Sequence, residues 1–181
     1  KHDYTKMFEN ILNHPNIHLQ LNNRLSSENI RKKRSQYQAI FYTGAIDSFF
    51  NHCFGKLEYR SLRFEWIHHP HLDYFQKTVQ CNYPNEQEYT RVVESKHITK
   101  VMGSGTTLCY EYPTSIGEPF YPMPLKQQQE KYNRYKILAD QEKLNQHPIY
   151  FLGRLAEYKY YNMDHIFLRV MNMAQEILHK A

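Results

Sequence analysis

Two short apolar runs, each followed directly by a glycine turn, constrain the fold of this chain more than any other feature. The first covers residues 39–42 and is followed by Thr43-Gly44, and the second covers residues 149–152 and is followed by Gly153. A brief apolar run closed by glycine is typical of a buried strand. A helix start follows the first run at residues 45–50, and in α/β proteins such a turn lies where ligands bind, at the carboxyl end of the sheet.

The middle of the chain has the alternation expected of a β-sheet. Leu62, Phe64 and Trp66 recur at every second position, with Arg60 in the same phase. This period of two predicts a strand over residues 57–67. Shorter β-rich runs predict further strands at 76–83, 89–94 and 106–112.

Helices are predicted near both ends of the chain. Residues 3–13 have Asp3 as an N-cap and an apolar face, and residues 126–142 form an amphipathic pattern. Asp164 is the expected N-cap of a final helix. The apolar stripe of that helix is predicted to face inward, and it consists of Ile166, Phe167, Val170, Met171, Ala174, Ile177 and Leu178.

The segment between the first helix and the first apolar run is polar. Ile17, Leu19 and Leu21 alternate with polar residues, which predicts a short strand. Residues 22–36 are polar and charged, and we expect a loop or an exposed hairpin there, with the basic run at 31–34 on a solvated face.

Composition excludes several classes of protein. Of the 181 residues, 41% are hydrophobic, which is enough for a core, and no apolar run approaches the roughly 20 residues of a membrane span. The formal net charge of +5 suits anionic ligands but does not argue for a DNA-binding surface. Three cysteines without a C-x-x-C spacing indicate reduced thiols in a cytoplasmic protein. The sixteen tyrosines suggest polar ligands held by ring stacking and hydroxyl donors.

The segment 153–161 carries the sharpest local indication of a ligand site. A glycine after a buried strand lets backbone approach a ligand, and Arg154 beside it can bind a pyrophosphate or an anionic ring. Three tyrosines within four residues, Tyr158, Tyr160 and Tyr161, add phenolic donors. A tyrosine-rich packing turn explains the same spacing equally well.

Charged residues inside the predicted strands are weaker candidates. Arg60 and Arg91 could face a phosphate or a carboxylate, although an outward arginine on a half-exposed sheet is the commoner case. Glu111 could orient an arginine or act as an acid, against the alternative of a solvated strand residue. The run His68-His69-Pro70-His71 has the wrong spacing for a metal site, and no metal is expected.

Five stretches resemble, in order and spacing, the prokaryotic-type UDP-galactopyranose mutases. They read FYTGAID at 41–47, FGKLEYRSLRFE at 54–65, YTRVVE at 89–94, GEPFYP at 117–122 and GRLAEYKYY at 153–161. The resemblance covers the carboxyl-terminal half of that family and lacks its amino-terminal glycine-rich flavin fingerprint.

The resemblance implies a mixed α/β (α+β) architecture. It combines the carboxyl-terminal part of a Rossmann-like FAD-binding fold with an antiparallel β-sheet domain. Residues 1–45 would then hold the first helix and the strands returning to the flavin domain. Residues 46–125 would form the antiparallel sheet domain, and residues 126–181 would complete the flavin domain.

The resemblance also implies an activity. Members of the family isomerise UDP-galactopyranose to UDP-galactofuranose for cell-surface polysaccharide synthesis, through attack of N5 of reduced FAD on the anomeric carbon. The expected partners are UDP-galactose and UDP-galactofuranose, with no nucleic acid and no membrane span, and a homodimer is left open. Because the flavin fingerprint is missing, this chain alone is expected to be inactive and not to retain FAD.

Site residues follow from the family motifs by position. Arg91 resembles the arginine that reaches the substrate diphosphate, and Glu111 an acidic residue that orders the site around an arginine; these two are the catalytic candidates. Asn82, Tyr121 and Tyr160 join Arg91 as candidates for substrate binding.

The candidates for flavin contact are Gly44, Arg60, Arg154 and Asn162. The sequence departs from the family pattern at several positions, including Phe120 in place of a usual tyrosine and Ile98 in place of a common phenylalanine. Asn162 stands where the family has aspartate, which removes a negative charge near the flavin, and residues 84–88 form an altered loop before Arg91.

Two alternatives of other classes remain open. One is a non-catalytic remnant that binds a nucleotide or a partner chain. The other is a flavoprotein oxidoreductase of the amine-oxidase type, in which a diphosphate-binding set of Arg91, Tyr121 and Tyr160 would have no substrate to hold.

Overall fold

A computed structural model describes residues 4–179 of the chain. Its mixture of helices with an antiparallel sheet confirms the mixed α/β class. The helices are α1 (Tyr4–Leu12), α2 (Ser27–Lys33), α3 (Ile46–Phe49), α4 (Lys96–Thr99), α5 (Lys126–Lys143) and α6 (Met163–Leu178). The strands are β1 (Ile40–Tyr42), β2 (Tyr59–His69), β3 (Gln80–Asn82), β4 (Arg91–Glu94), β5 (Thr106–Thr114), β6 (Tyr121–Pro122) and β7 (Ile149–Phe151). The helices predicted at 3–13 and 126–142 are thereby confirmed, while the predicted N-cap Asp3 lies outside the described residues.

The chain forms two compact units, each made of two stretches. We call one the sheet unit, Lys1–Arg24 with Leu62–Thr114, and the other the helical unit, Leu25–Ser61 with Ser115–Ala181. These bounds differ from the predicted ranges 1–45, 46–125 and 126–181, and the three-part division stays a prediction.

The sheet unit is built on antiparallel strands in the order β3-β4-β5, with β2 beside β5. In the ladder, Cys81 lies opposite Val92 and Val92 lies opposite Tyr110. Val92 and its neighbour Leu108 are fully or almost fully buried. Alternation predicted β2, and the short β-rich runs predicted β3, β4 and β5. In such strands, successive side chains point to opposite faces of the sheet.

Glu94, the last residue of β4, ties the sheet unit together. Its buried carboxylate accepts hydrogen bonds from the backbone N–H groups of Phe75 and Gln76, both at 2.9 Å, and from the Thr106 hydroxyl at 2.6 Å. Burial favours the protonated form, yet these three bonds to the carboxylate outweigh it, so the pKa of Glu94 is lowered. One side chain therefore joins the segment before β3 to the start of β5.

The helical unit contains the two glycine-closed runs, which pair in parallel as β1 and β7. Ile40 lies opposite Ile149, and Tyr42 lies opposite Phe151. Helix α5 packs against β7 and α3. The core of this unit consists of Ile30, Ile46, Phe49, Phe50, Leu57, Tyr135, Ala139, Ile149, Phe151, Ala156 and Tyr158. Strand β6 pairs antiparallel with the first two residues of β2.

The turn after β1 requires glycine for a packing reason. The ring of Tyr42 folds back over the turn, and its hydroxyl donates to the carbonyl of Ala45 at 3.2 Å. A Cβ at Gly44 would lie 2.5 Å from that hydroxyl oxygen. Any side chain at this position would displace the Tyr42 ring.

Two sequence predictions between α1 and β1 are wrong. Residues 17–21 form no strand, and Ile17, Leu19 and Leu21 are exposed. Residues 22–36 are not a loop or a hairpin, because they contain α2, whose N-cap Ser26 accepts a hydrogen bond from the Asn29 N–H at 3.2 Å.

The basic run within that segment is also not a merely solvated face. Arg34 donates to a carboxylate oxygen of Glu142 at 2.6 Å, and Arg31 lies over the rings of Phe49 and Phe50. These contacts attach α2 to α5 and to the core of the helical unit. The charges therefore support packing, which the polarity of the run concealed.

The predictions for α6 also need correction. Its N-cap is Asn162, and Asp164 lies in the first turn. The predicted inward stripe is mostly exposed, with Met171 61% and Leu178 74% accessible, whereas Met173 is buried. An amphipathic pattern predicts which residues share a face, but not whether the chain supplies a surface to cover it. Among residues 4–179, no helix is long and apolar enough to cross a membrane.

Candidate functional site

Three predicted site residues form one row across the sheet unit. In the antiparallel register, Asn82 lies opposite Arg91, and Arg91 lies opposite Glu111. Residues directly opposite each other point to the same face of a sheet. We call Asn82, Arg91 and Glu111 the arginine row.

The two outer members of the row orient the guanidinium of Arg91. Its Nε donates to Oδ1 of Asn82 at 3.4 Å, and its Nη1 lies 3.4 Å from Oε2 of Glu111. The Arg91 side chain is 38% accessible and that of Glu111 is 14% accessible. A half-exposed pair of this kind contributes at most about 1 kcal/mol to folding. The row therefore places a charged fork at the surface with part of its donor set open to a ligand.

Tyrosine rings contact one another where the chain enters β4. The ring centroid of Tyr89 lies 5.1 Å from that of Tyr83 and 4.9 Å from that of Tyr110. Burial raises the pKa of Tyr110, so its hydroxyl stays protonated at neutral pH. Tyr89 lies two residues before Arg91, and these ring contacts hold the chain where it enters β4.

A second group of predicted site residues lies in the helical unit. The guanidinium carbon of Arg154 is 4.7 Å from the ring centroid of Tyr160 and 5.2 Å from that of Tyr121. The two rings are stacked on each other with their centroids 5.8 Å apart. Arg60 lies opposite Tyr121 in the pairing of β2 with β6. We call Arg154, Tyr121 and Tyr160 the arginine–tyrosine cluster.

Backbone carbonyls hold the guanidinium of Arg154. Its Nη1 donates to the carbonyl of Phe120 at 3.3 Å, and its Nη2 donates to that of Tyr161 at 2.6 Å. Tyr160 is 56% accessible, so about half of its surface is open to solvent. The cluster thus combines a fixed cation with a phenolic donor, and its use as a ligand site stays a prediction.

The other two residues predicted to contact the flavin, Gly44 and Asn162, are not members of the arginine–tyrosine cluster. Gly44 lies two residues after β1, where packing of Tyr42 already explains the glycine. Asn162 is exposed and makes no side-chain capping bond to α6, so its amide is open to a ligand.

Sequence reasoning missed two residues that support these groups. Tyr89 lies in the motif YTRVVE, but the sequence assigned it no role. Glu157 lies within residues 153–161 and was likewise given no role, although it contacts Gly153 and Arg169. An acidic residue four positions after a glycine turn was the available signal for Glu157, because a carboxylate at that distance reaches back to free backbone N–H groups.

The cysteines and histidines were also considered as candidate ligands of a metal ion. Cys53, Cys81 and Cys109 are free thiols, and burial raises the pKa of the Cys109 thiol. Among the described residues, no group of three or more His, Cys, Asp or Glu side chains is arranged to hold a metal ion. His68 hydrogen-bonds to the Thr107 hydroxyl at 3.0 Å.

Comparison with known proteins gives consistent matches over nearly the whole chain. A family model described as UDP-galactopyranose mutase matches residues 1–160. The dTDP-fucopyranose mutase of Escherichia coli is 36% identical over 179 residues, which cover 95% of this chain and 46% of that protein. A probable UDP-galactopyranose mutase of Klebsiella pneumoniae is 33% identical, covering 97% of this chain and 44% of that protein. The UDP-galactopyranose mutase of Mycoplasma pneumoniae is also 33% identical, with 98% and 47% covered. The chain therefore spans about half the length of the curated relatives it matches.

Proposed function

The chain belongs to the UDP-galactopyranose mutase family, and we propose that its full-length form, extended to the length of its relatives, interconverts the pyranose and furanose forms of UDP-galactose. The match confirms the resemblance that the five motifs indicated. The observation that carries the proposal is the arginine row, which presents a partly open guanidinium between an amide and a carboxylate.

Arg91 would bind the diphosphate of the nucleotide sugar. When the bond between the anomeric carbon and UDP breaks, negative charge develops on the diphosphate, and a fixed guanidinium stabilises that charge. Asn82 and Glu111 hold two edges of the fork, and Nη2 of Arg91 makes no hydrogen bond to any of residues 4–179. The row thus preorganises a donor for an oxyanion, which is where such groups contribute most to catalysis.

By the family pattern, the tyrosines of the arginine–tyrosine cluster would supply neutral donors to phosphate oxygens. The Tyr160 ring is exposed but stacked, so its hydroxyl has a defined position without being sequestered. A phenol donates one hydrogen bond without adding charge, which suits a diphosphate already partly neutralised by arginine.

The cluster fits the ring end of a flavin. Arg154 is held by two carbonyls and lies against two aromatic rings, so it offers a cation in a flat, partly apolar setting. Such a setting suits a planar heterocycle that gains negative charge on reduction. Gly153, with a φ of +101° and open space at its Cβ position, leaves the adjacent backbone uncovered. When bound, reduced FAD would supply the nucleophile for the anomeric carbon.

The chain's own residues would then act around the reacting sugar. Arg154, with Arg60, Gly44 and Asn162 as further candidates, would orient the flavin ring. Arg91, Asn82, Tyr121 and Tyr160 would hold the nucleotide, and Glu111 would keep Arg91 aligned. Fixing both reactants in this way lowers the entropic part of the barrier.

The proposal extends to the fold of the helical unit. We assign it to the carboxyl-terminal part of a Rossmann-like flavin-binding fold. Parallel strands are joined by crossovers and occur almost exclusively in α/β sheets, and the parallel pairing of β1 with β7 supports this assignment. A sheet of only two strands is marginally stable by itself, which is consistent with membership of a sheet with more strands.

The test is turnover by the purified full-length protein. With dithionite-reduced enzyme, we expect UDP-galactofuranose to convert to UDP-galactopyranose, and the oxidised enzyme to be much slower. Absence of bound flavin, or turnover that does not depend on reduction, would contradict the proposal. A flavoprotein that oxidises amines instead would favour the amine-oxidase alternative, and nucleotide binding without turnover would favour a non-catalytic remnant.

A second candidate substrate is a dTDP-linked 6-deoxyhexose. The E. coli dTDP-fucopyranose mutase is more similar to this chain than either UDP-galactopyranose mutase cited above, at 36% against 33% identity. A 6-deoxy sugar replaces a hydroxyl with hydrogen, a change that a site built to bind the hydroxyl detects strongly. Parallel assays with UDP-galactofuranose and dTDP-fucofuranose would decide, through the ratio of the two kcat/KM values.

Three further properties are proposed for the same protein. Its free thiols are consistent with a cytoplasmic location. A homodimer is the proposed assembly. The 181-residue chain by itself is predicted to retain no FAD and to show no turnover, which purification followed by an absorbance spectrum and the same assay would check.

A further inference from the structure

Glu157 connects three segments of the helical unit through one carboxylate. Its Oε2 accepts a hydrogen bond from the backbone N–H of Gly153 at 3.0 Å, and its Oε1 accepts one from Nε of Arg169 in α6 at 3.0 Å. In the opposite direction, the backbone N–H of Glu157 donates to the carbonyl of Gly153 at 2.8 Å. The turn from Gly153 to Glu157 is therefore closed from both sides.

The turn contains two residues with positive φ, one glycine and one tyrosine, and each is held in a different way. Gly153 has a φ of +101°, and Tyr158, directly after Glu157, has a φ of +44°. Glycine visits many other conformations at little cost, whereas tyrosine avoids this one. Tyr158 is held by its hydroxyl, which donates to the carbonyl of Glu58 at 2.6 Å and accepts from the Met123 N–H at 3.1 Å. Within the described part of the chain, residues 4–179, the backbone hydrogen bonds of Gly153 are made to Glu157.

The residues at stake lie directly beside these contacts. Arg154 follows Gly153, and its carbonyl accepts the N–H of Lys159 at 3.1 Å, so its backbone moves with the turn. Tyr160 lies in the chain between the turn and α6. Arg169 of α6 donates a hydrogen bond to Glu157, so the turn and α6 are joined on either side of Tyr160. Tyr161 also shares hydrogen bonds with Glu157 and Arg169, and burial raises its pKa. Glu157 thus ties down both ends of the segment that carries Arg154 and Tyr160.

We propose that Glu157 is a positioning residue, which holds Arg154 and Tyr160 in the arrangement that contacts flavin and substrate. This rests on the proposed function, in which those two side chains face the flavin and the diphosphate. A carboxylate is required because both of its oxygens accept from donors that cannot themselves accept, a backbone N–H and a guanidinium. Glutamine offers one acceptor, so either Gly153 or Arg169 would face an amide NH₂ and lose its partner.

The experiment compares Glu157→Gln with Glu130→Gln in the full-length flavoprotein. Glu130 is an exposed residue of α5 and serves as a matched control for loss of one carboxylate. The first readout is the ¹⁵N-arginine spectrum of the apo and FAD-bound protein, with the Arg154 Nε–H signal assigned from its loss in Arg154→Lys. Ring currents of Tyr121 and Tyr160 shift that signal, so its position reports whether Arg154 stays against the rings.

In Glu157→Gln, we expect the Arg154 signal to move towards that of a solvent-exposed arginine, FAD affinity to fall, and kcat to fall about 10²-fold with a smaller change in KM. Glu130→Gln should match the wild type. Loss of thermal stability with an unmoved Arg154 signal and unchanged kcat would show that Glu157 only braces α6, and would overturn the proposal.

If Glu157→Gln fails to fold, Arg169→Met is the second variant to measure. It removes one partner of Glu157 and leaves the bond to Gly153, so the same changes are expected at smaller size. An unmoved Arg154 signal in Arg169→Met would then contradict the proposal. A wild-type protein without mutase turnover would defeat the proposed function alone, because the arginine spectrum and FAD titration still report on positioning.

Discussion

The arginine row and the arginine–tyrosine cluster hold a guanidinium by opposite means. Arg91 belongs to a strand, and side chains on the neighbouring strands orient it at 3.4 Å. Arg154 belongs to a turn, and backbone carbonyls hold it, with two rings beside it. In the first case the ladder of the sheet positions the side chain, and in the second an irregular backbone must be stabilised before the side chain can be positioned.

The difference predicts where substitutions act. A strand residue keeps its place when its neighbours change, because the backbone bonds of the ladder persist. A residue on a left-handed turn loses its place when one supporting contact is removed. Variants in the arginine row should therefore change chemistry without changing structure, whereas variants around Arg154 should change both.

The largest expected effect is that of Arg91→Ala in the full-length enzyme. Loss of the preorganised cation should cost about 2–4 kcal/mol of transition-state stabilisation, or about 30- to 10³-fold in kcat/KM. Lysine should recover little, since a point charge lacks the fork. The measurement is turnover of UDP-galactofuranose by the reduced enzyme.

Arg63→Ala is the matched control for that substitution. Arg63 lies in the same sheet, with its guanidinium carbon 3.8 Å from the ring centroid of Tyr112 and away from the arginine row. We expect a change of less than about threefold, as for a surface residue. Near-normal activity of Arg91→Ala would show that Arg91 is not the main charge stabiliser.

Glu94→Gln tests whether the sheet unit can be destabilised while the arginine row keeps its activity. Removing the carboxylate that accepts three hydrogen bonds should lower the free energy of unfolding of this unit by roughly 1–3 kcal/mol at neutral pH. The pKa of Glu94 is lowered in the folded state, so its contribution is present above the unfolded value of about 4.3 and is lost as the pH falls.

Hydrogen exchange of the β4 and β5 amides at several pH values checks this. The gap between wild type and Glu94→Gln should be full at pH 7 and should close below about pH 4. Turnover at pH 7 should stay close to that of the wild type. A gap that does not depend on pH would contradict the role given to the ionised carboxylate.

Arg154→Ala should weaken binding of FAD more than it weakens binding of UDP. It removes a cation beside two rings together with two hydrogen bonds to carbonyls, and we expect about tenfold lower affinity for FAD. Flavin titration by fluorescence measures the change. Lys126→Ala, at the exposed start of α5, is the control, and equal FAD affinity of both variants would count against the flavin-facing role.

The smallest effect is expected for Tyr160→Phe. Only a neutral donor is lost, so the cost should be about 0.5–1.5 kcal/mol, or about two- to tenfold in kcat/KM. Stacking on Tyr121 should persist, so FAD binding should not change. Tyr37→Phe, at an exposed tyrosine, controls for the substitution itself. A larger loss for Tyr160→Phe than for Arg91→Ala would reverse the ranking of the two groups.

Much of the regular structure could be predicted from periodicity. Residues 57–67 follow a period of two, and β2 covers most of them; α5 covers the helix predicted at 126–142. Helix α2 was missed because it buries one apolar residue, Ile30, and attaches through arginines instead. The available signals were Ser26 as an N-cap, an acidic first turn and a basic last turn.

The arrangement of the candidate site was harder to predict. Motifs could nominate Asn82, Arg91 and Glu111, but their meeting in one row depends on the register of three strands, which no local pattern determines. The importance of Glu157 depends on a local contact from Gly153 together with one from Arg169 in α6, and no short window contains the second contact. The family roles of all these residues stay predictions until they are measured.

The most direct test of the division of labour between the two arginines is a crossed binding measurement on the full-length protein. Calorimetry would give the affinity for UDP, and fluorescence the affinity for FAD, in wild type, Arg91→Ala and Arg154→Ala. We predict that Arg91→Ala loses affinity for UDP and keeps it for FAD, and that Arg154→Ala loses affinity mainly for FAD. Equal losses of both ligands in both variants would contradict the assignment of Arg91 to the diphosphate and Arg154 to the flavin.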